Sequence, residues 1–431
     1  MKNNDEFYDV VILGTGLAET ALSALLADKK LKILVLDRSN CYGSEFSTLR
    51  YTQLEEFFGV LPGQGDFSSR NSFVELDASF NIDLTPKILL MESSLKDLFI
   101  DKQIDQLVTF SAIKGSYVYT NKLHSIPRNE AQSLTSGAIS LMQKPRVVRF
   151  FYNLRKVAQD KNYKFKKTMQ EEFDYFGVNK ESIDFIGHGI AMNVDEGYLK
   201  AHPKETYDKI IAYIQSIASY DNSESPFIYP QYGLSDICQG FVRKAALIGA
   251  EFMLNAQISK ICTNKKQIEV TDPNGDFHKI KYEKLISDPS YFVDQSIIDC
   301  SPSLVKKEII RCIMICKKNH KFGGSRNITF INKFFNRKND VFCIVLDEKT
   351  MAAPPGYEIA ILSTVKETQF PLTEIKSIIS KFDCLKYFIG TRKIYSNHHK
   401  DVIFTKNIDE SPLMNNIYED IKSILQSMNI K

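Results

Sequence analysis

Gly14 and Gly16, followed 23 residues after the first by Asp37, are the residues of this chain whose types and spacing could do recognisable chemistry. A glycine turn lets backbone approach the pyrophosphate of a dinucleotide, and an acid about 20 residues on would hold its ribose. The surrounding elements suit that task. Tyr8–Leu13 is a short β-branched run, Leu17, Ala21, Leu22 and Leu25 recur at helical spacing, and Lys32–Leu36 is a second run ending at Asp37. Strand, glycine turn, helix, strand and acid together predict a Rossmann-type βαβ unit.

The cofactor itself is not expected. The third glycine of the G-x-G-x-x-G pattern is replaced by Glu19. A carboxylate there suits the helix dipole but would repel a pyrophosphate brought to the same end. After Asp37-Arg38 a single Gly43 remains beside Tyr42, where flavoprotein oxidases carry a glycine-rich stretch around the flavin. Gly14, Gly16 and Asp37 therefore read as vestiges of a cofactor site, with no cofactor and no metal; a tolerant flavin site is the competing reading.

A second candidate is Gly187-His188-Gly189, on an otherwise apolar helical stretch. Each mid-helix glycine costs about 1 kcal/mol against alanine. That cost implies close backbone approach or room between helices, such as a slot for a lipid chain. His188 is either an acid/base or a satisfied core residue.

The elements holding these residues change character along the chain. Residues 105–127 alternate as strands, and a turn-rich loop is expected over 60–75. From 129 to 219 the period becomes helical, over 145–158, 180–192 and 206–219, with Pro145 at a helix start and Asn179 as an N-cap. The expected fold is α/β: a large discontinuous Rossmann-like domain, residues 1–118 and 221–431, with a small helical domain, 119–220, inserted.

Composition narrows the function. The 431 residues are 43% hydrophobic and 25% charged, a globular mix. A formal charge of +3 gives no global basic field for nucleic acid. The eight cysteines are scattered without a C-x-x-C pair, as free thiols in a reducing compartment would be. No run approaches the ~18–20 apolar residues of a membrane span, and neither a signal segment nor a C-terminal lipidation box is read. The expectation is a soluble cytoplasmic protein that meets membranes only transiently.

Several segments in order carry a resemblance: Val11–Leu17 with Glu19, Asp37-Arg38 with Tyr42-Gly43, Asn81–Lys87, Gly115–Tyr119, Ile183–His188, Tyr229–Leu234, Gln239-Gly240-Phe241, Asp288–Tyr291 and Asn336–Asp340. In these the chain resembles the Rab GDP-dissociation inhibitor and Rab escort protein superfamily. The resemblance implies a non-catalytic, monomeric carrier. It would bind GDP-loaded, geranylgeranylated Rab GTPases, slow GDP release, and extract them from membranes and return them. Its large domain would be flavin-free and its helical domain would shelter the prenyl group. The implied Rab-binding platform falls on Tyr42, Asp236, Gln239, Arg243, Glu251 and Met253. Asp236 stands where glutamate is usual, Glu251 where threonine is usual, and Cys238 where proline is usual. For the prenyl group the candidates are Phe150, Leu154, Ile183, Ile186, Gly187, Ile190, Ile210 and Ile214. The compact length and the segments Asp288–Tyr291 and Asn336–Asp340 resemble the inhibitor branch more than the escort branch, which is the alternative; a flavin-dependent amine oxidase is a further one.

Overall fold

A computed structural model describes residues 5–59, 72–127, 139–160, 162–219, 225–319 and 324–428. The loop expected over 60–75 lies outside the described residues as far as 71; 72–75 are helical, with Phe73 in the core.

Two seven-stranded sheets form the frame. In the first, Asp5–Leu13 lies between Ile33–Leu36 and Phe277–Ser287, parallel to both, and Glu251–Met253 extends the sheet beside Ile33–Leu36. Val10–Leu13 and Ile33–Leu36 are buried on both faces, which is why they read as continuous apolar runs. The chain turns sharply at Gly14, where φ is +113°, a conformation that favours glycine. It then enters the helix Leu17–Ala27, as the sequence predicts.

The second sheet runs in the order Cys384–Ser396, Leu304–Lys317, Tyr357–Val365, Val341–Leu346, Arg326–Phe330, Gly115–Tyr119, Leu123–Ser125. The expected domain edge at 119 falls inside it, because Leu123–Ser125 pairs with Gly115–Tyr119. The helices begin later, at Lys144–Gln159, and continue with Met169–Phe176, Lys180–Asp184 and Lys204–Ala218. Pro145 sits in the first turn of its helix, and the Asn179 side chain caps the next but one by accepting from the Ser182 N–H.

The helix expected over 180–192 is not α throughout. Phe185–Ile190 is a π-helix, with the Ala191 N–H reaching back five residues to the Ile186 carbonyl. One apolar cluster joins the first sheet, the helices and the second sheet, running from Val10 through Phe227 to Phe150, Ile210 and Ile344. A second cluster, including Val11, Leu13, Leu34 and Leu285, fills the other face of the first sheet. The eight cysteines are free thiols, but not all are scattered in space: Cys316 and Cys384 stand opposite each other on neighbouring strands. No helix among the described residues is long and apolar enough to cross a membrane.

Candidate functional site

The glycine turn is filled by the protein itself. Glu19 is buried, and its carboxylate folds back over the turn. A Cβ placed on Gly16 would meet Glu19 Oε2 at 2.6 Å, and one on Gly14 would meet Glu19 Cγ at 3.5 Å. The Thr405 hydroxyl donates to Glu19 Oε1 at 2.6 Å.

The expected mode of exclusion, charge against charge, is therefore corrected. Burial, with Asp288 beside it, pushes the Glu19 carboxyl up to about 8, so at neutral pH it is largely a neutral side chain occupying the turn. Asp37 is equally committed. It accepts from the hydroxyls of Thr15 (2.5 Å), Ser44 (2.7 Å) and Tyr291 (3.4 Å) and from the Ser39 N–H (2.8 Å). A cleft of about 520 Å³ does lie alongside, but two of the cations lining it are already paired there: Lys87 bonds Asp409 at 2.9 Å and Arg392 pairs with Glu45. The residues present do not fit a dinucleotide, because the place of its pyrophosphate holds a side chain and the ribose-binding acid is taken.

A pH effect follows. Between pH 4.5 and about 8 the unfolded chain releases the Glu19 proton while the folded chain keeps it, so this group's contribution to stability falls as pH rises through that window. A glutamine in its place could still accept from Thr405 but cannot ionise. Glu19→Gln should stabilise the fold at pH 8 by roughly 2–4 kcal/mol, and by little at pH 4.5. Denaturant melts at the two pH values check this; equal gains at both would contradict it.

Above this turn lies the helix Ser235–Leu247, packed on Leu17–Ala27. Its start is fixed by Asp83, which accepts the Leu234 N–H at 2.9 Å, the Thr48 hydroxyl at 2.5 Å and the Tyr229 hydroxyl. Gly233 (φ +102°) has to be glycine here, since a Cβ would meet Thr48 and Asp83 within 2.4–2.8 Å. With that start fixed, Asp236, Gln239 and Arg243 share one outward face by their three- and four-residue spacing. Gln239 and Arg243 are exposed and Asp236 is half-buried, its carboxyl pushed upward by burial. No ion pair or hydrogen bond of the Arg243 guanidinium is seen among the described residues.

The remaining candidates divide. Tyr42 packs edge-on against Phe252, ring centres 6.1 Å apart. Glu251 and Met253 alternate with Phe252 and turn to the other face of their strand. There Met253 packs against the second core cluster, and Glu251, though exposed, accepts the Tyr8 hydroxyl at 2.9 Å. Cys238 is fully buried, so its departure from the family pattern does not alter the outward face.

Among the helices, the candidate prenyl residues are mostly packed inside. Phe150, Ile186 and Ile210 are fully buried, with Leu154, Ile183 and Ile190 nearly so. Phe150 sits within an aromatic cluster, with the rings of Phe173, Phe176 and Tyr207 5.2–5.6 Å away. Ile214 is 38% exposed, because its helix turns Tyr207, Ile210 and Tyr213 inward instead. Gly187 leaves no room: a Cβ there would lie 1.9 Å from the Tyr198 hydroxyl oxygen.

His188 is a core residue. It is fully buried, its Nδ1 2.7 Å from an Asp340 carboxylate oxygen and 3.3 Å from the Asn193 carbonyl. The organising roles of Asp83, Asp340 and Tyr198 were not read from the sequence. Asp83 and Asp340 lie inside segments that carried the resemblance, but spacing along the chain names no spatial partner.

Comparison with known proteins places these observations. Residues 3–431 match the family model described as GDP dissociation inhibitor. A protein of Schizosaccharomyces pombe named probable secretory pathway GDP dissociation inhibitor 1 is 31% identical, covering 98% of this chain and 96% of its own. The Rab GDP-dissociation inhibitor of Saccharomyces cerevisiae is 28% identical, covering 97% and 94%. The crystal structure of a Rab GDI from Plasmodium falciparum superposes with a TM-score of 0.85 at 28% identity, covering 99% of both chains. An oxidoreductase from Methanosarcina mazei shares the fold alone, at 12% identity and a TM-score of 0.63.

Proposed function

We propose that this chain, which belongs to the GDP dissociation inhibitor family, binds Rab GTPases in their GDP-bound, geranylgeranylated form as a monomer, slows GDP release, and withdraws them from and returns them to membranes. The observation that carries the reading is the outward face of Ser235–Leu247, where Asp236, Gln239 and an exposed Arg243 stand together beside a glycine turn closed to cofactor. GTPase switch segments are ordered by the γ-phosphate and relaxed without it. A rigid polar face fitted to the relaxed form therefore selects the GDP state. Of the other candidates, Tyr42 lies on the Phe252 side of the strand Glu251–Met253, and Glu251 and Met253 lie on its opposite side, so the partner would reach them around the sheet edge. In this reading these residues act by binding.

The prenyl group supplies a second contribution, about 0.8 kcal/mol per buried CH₂. Phe150, Leu154 and Ile210 offer it an apolar interior, and entry requires the helices to part there, since these side chains are already buried. Linking a lipid site to a protein site raises the effective concentration at each.

Arg243→Ala tests the platform. An exposed guanidinium can donate several hydrogen bonds to a partner, and removing such an interface anchor costs at least about 1.4 kcal/mol, or tenfold in Kd. The variant should bind GDP-loaded Rab at least tenfold more weakly while melting as the parent does. Equal affinity would remove Arg243 from the platform.

A further inference from the structure

Between residues 144 and 167 the sequence holds nine Lys and Arg against one acid, Asp160, although the whole chain carries only +3. Eight of the nine lie among the described residues. The helix Lys144–Gln159 at the start of this stretch contains no acid. Its buried stripe is Val147, Phe150 and Leu154. At 100° per residue the opposite side is Val148, Arg149, Tyr152, Arg155 and Lys156, all exposed.

Two apolar side chains thus stand among three cations on one face: Val148 is 47% exposed and Tyr152 60%. The face continues onto Met169–Phe176, where Tyr175 is 56% exposed, with Arg149 5.5 Å and Lys166 4.5 Å from its ring centre. Just before the helix, Leu141 and Met142 are the most exposed apolar side chains among the described residues, at 80% and 85%. The acids nearby are Asp160 at the helix end and Glu171 and Asp174, exposed on Met169–Phe176.

We propose that this face docks on the anionic surface of a lipid bilayer. Cations alone would suit any polyanion. Exposed Leu, Met, Val and Tyr among them suit the headgroup boundary, where aromatic and aliphatic side chains sink while Lys and Arg stay at the charged level. The net positive charge is concentrated here while the rest of the chain is net negative, so an anionic surface attracts this face and turns the remainder away. The inference extends the proposed function by naming the face that meets the membrane; its readout needs no GTPase.

The test is flotation with vesicles of phosphatidylcholine alone or with about 30% phosphatidylserine. The parent should float with the anionic vesicles and not the neutral ones, and should be released at raised salt. Each cation near such a surface is worth roughly fivefold in partition, so Arg149→Glu with Lys156→Glu should lower binding at least tenfold. Val148→Ser with Tyr152→Ser should lower it severalfold with the charge intact. Thermal melts confirm that the variants fold; Arg149→Gln with Lys156→Gln replaces the reversal if it does not. Arg243→Ala should float as the parent does, whatever its affinity for Rab. Equal flotation on neutral vesicles, parental binding by the reversed variant, or retention on nucleic acid alone would overturn the proposal.

Discussion

Asp340→Ala should destabilise this protein by about 3–5 kcal/mol, the cost of stranding one member of a buried ion pair. Asp340 is fully buried. Its carboxylate receives His188 Nδ1 at 2.7 Å and the Asn332 N–H at 2.9 Å. Its backbone N–H donates to the Val194 carbonyl at 2.8 Å, and its carbonyl accepts the Thr364 hydroxyl at 2.7 Å. Alanine keeps the backbone bonds but leaves the Asn332 N–H and the imidazole inside the fold without their acceptor. Among the described residues His188 Nε2 has no hydrogen-bond partner, Glu196 standing 3.6 Å away.

The same pair sets a pH signature. Burial alone would lower the His188 pKa, but the Asp340 carboxylate, with Glu196, holds it up at about 10, against 6.5 for the free side chain. Asp184, the other acid of this group, is paired with Lys333. A histidine raised on folding gives its full contribution below pH 6.5 and loses it as pH climbs toward 10. The parent should therefore lose this part of its stability between pH 7 and 10, and Asp340→Ala should lack that slope. Denaturant melts across the range read both effects. A variant within 1 kcal/mol of the parent, roughly the size of an ordinary surface change, would show that the pair does not hold the helices to the sheet.

The parts of this fold legible in the sequence are those specified by local pattern. The βαβ unit is one, because parallel strands buried on both faces leave uninterrupted apolar runs and Gly14 marks the turn between them. Asn179 and Pro145 are others, because a helix start needs only its own first residues. What was not legible came from residues distant in sequence. Glu19 stood out as a departure, yet only Thr405, Asp288 and Asp420 around it make it a neutral plug rather than a repelling charge. Between 206 and 219 the apolar residues Tyr207, Ile210, Ile211, Ile214, Ile217 and Ala218 admit more than one inward face, and packing chose the one through Tyr207, Ile210 and Tyr213. The basic stretch at 144–167 was concealed by a whole-chain charge near zero, which averages over just the asymmetry that matters to a surface. The quoted segments proved to be halves of contacts: Asp83 with Tyr229 and Leu234, His188 with Asp340, Arg38 with Tyr291, whose ring lies 4.5 Å from the guanidinium.

Gly187→Leu should unfold the helical region rather than simply close a lipid slot. If the two glycines left a vacant groove, a leucine would fill it, and only prenyl-dependent extraction of Rab would suffer. The structure gives the opposite geometry. The place of the missing Cβ is held by Tyr198, whose hydroxyl oxygen would lie 1.9 Å and whose ring carbon 2.3 Å from it. Tyr198 cannot easily withdraw, since it is buried, stacks edge-on to His188 at 5.5 Å and bonds the Ile183 carbonyl. The glycine carbonyl is also committed, accepting both the backbone and side-chain N–H of Asn193 at 3.0 Å. π-Helical turns are rare and mostly single, and in this one the two Asn193 bonds tie down the Gly187 carbonyl. Overpacking a tight core costs typically 1–3 kcal/mol. Here displacement of Tyr198 would disturb His188 and its pair with Asp340 as well, so a loss of about 3 kcal/mol or more is expected, read as an early thermal melt. Gly187→Ala combined with Tyr198→Ala should recover part of what Gly187→Ala alone loses, because the clash and its cause are removed together. A Gly187→Leu protein that melts as the parent does and loses only prenyl-dependent extraction would restore the vacant groove.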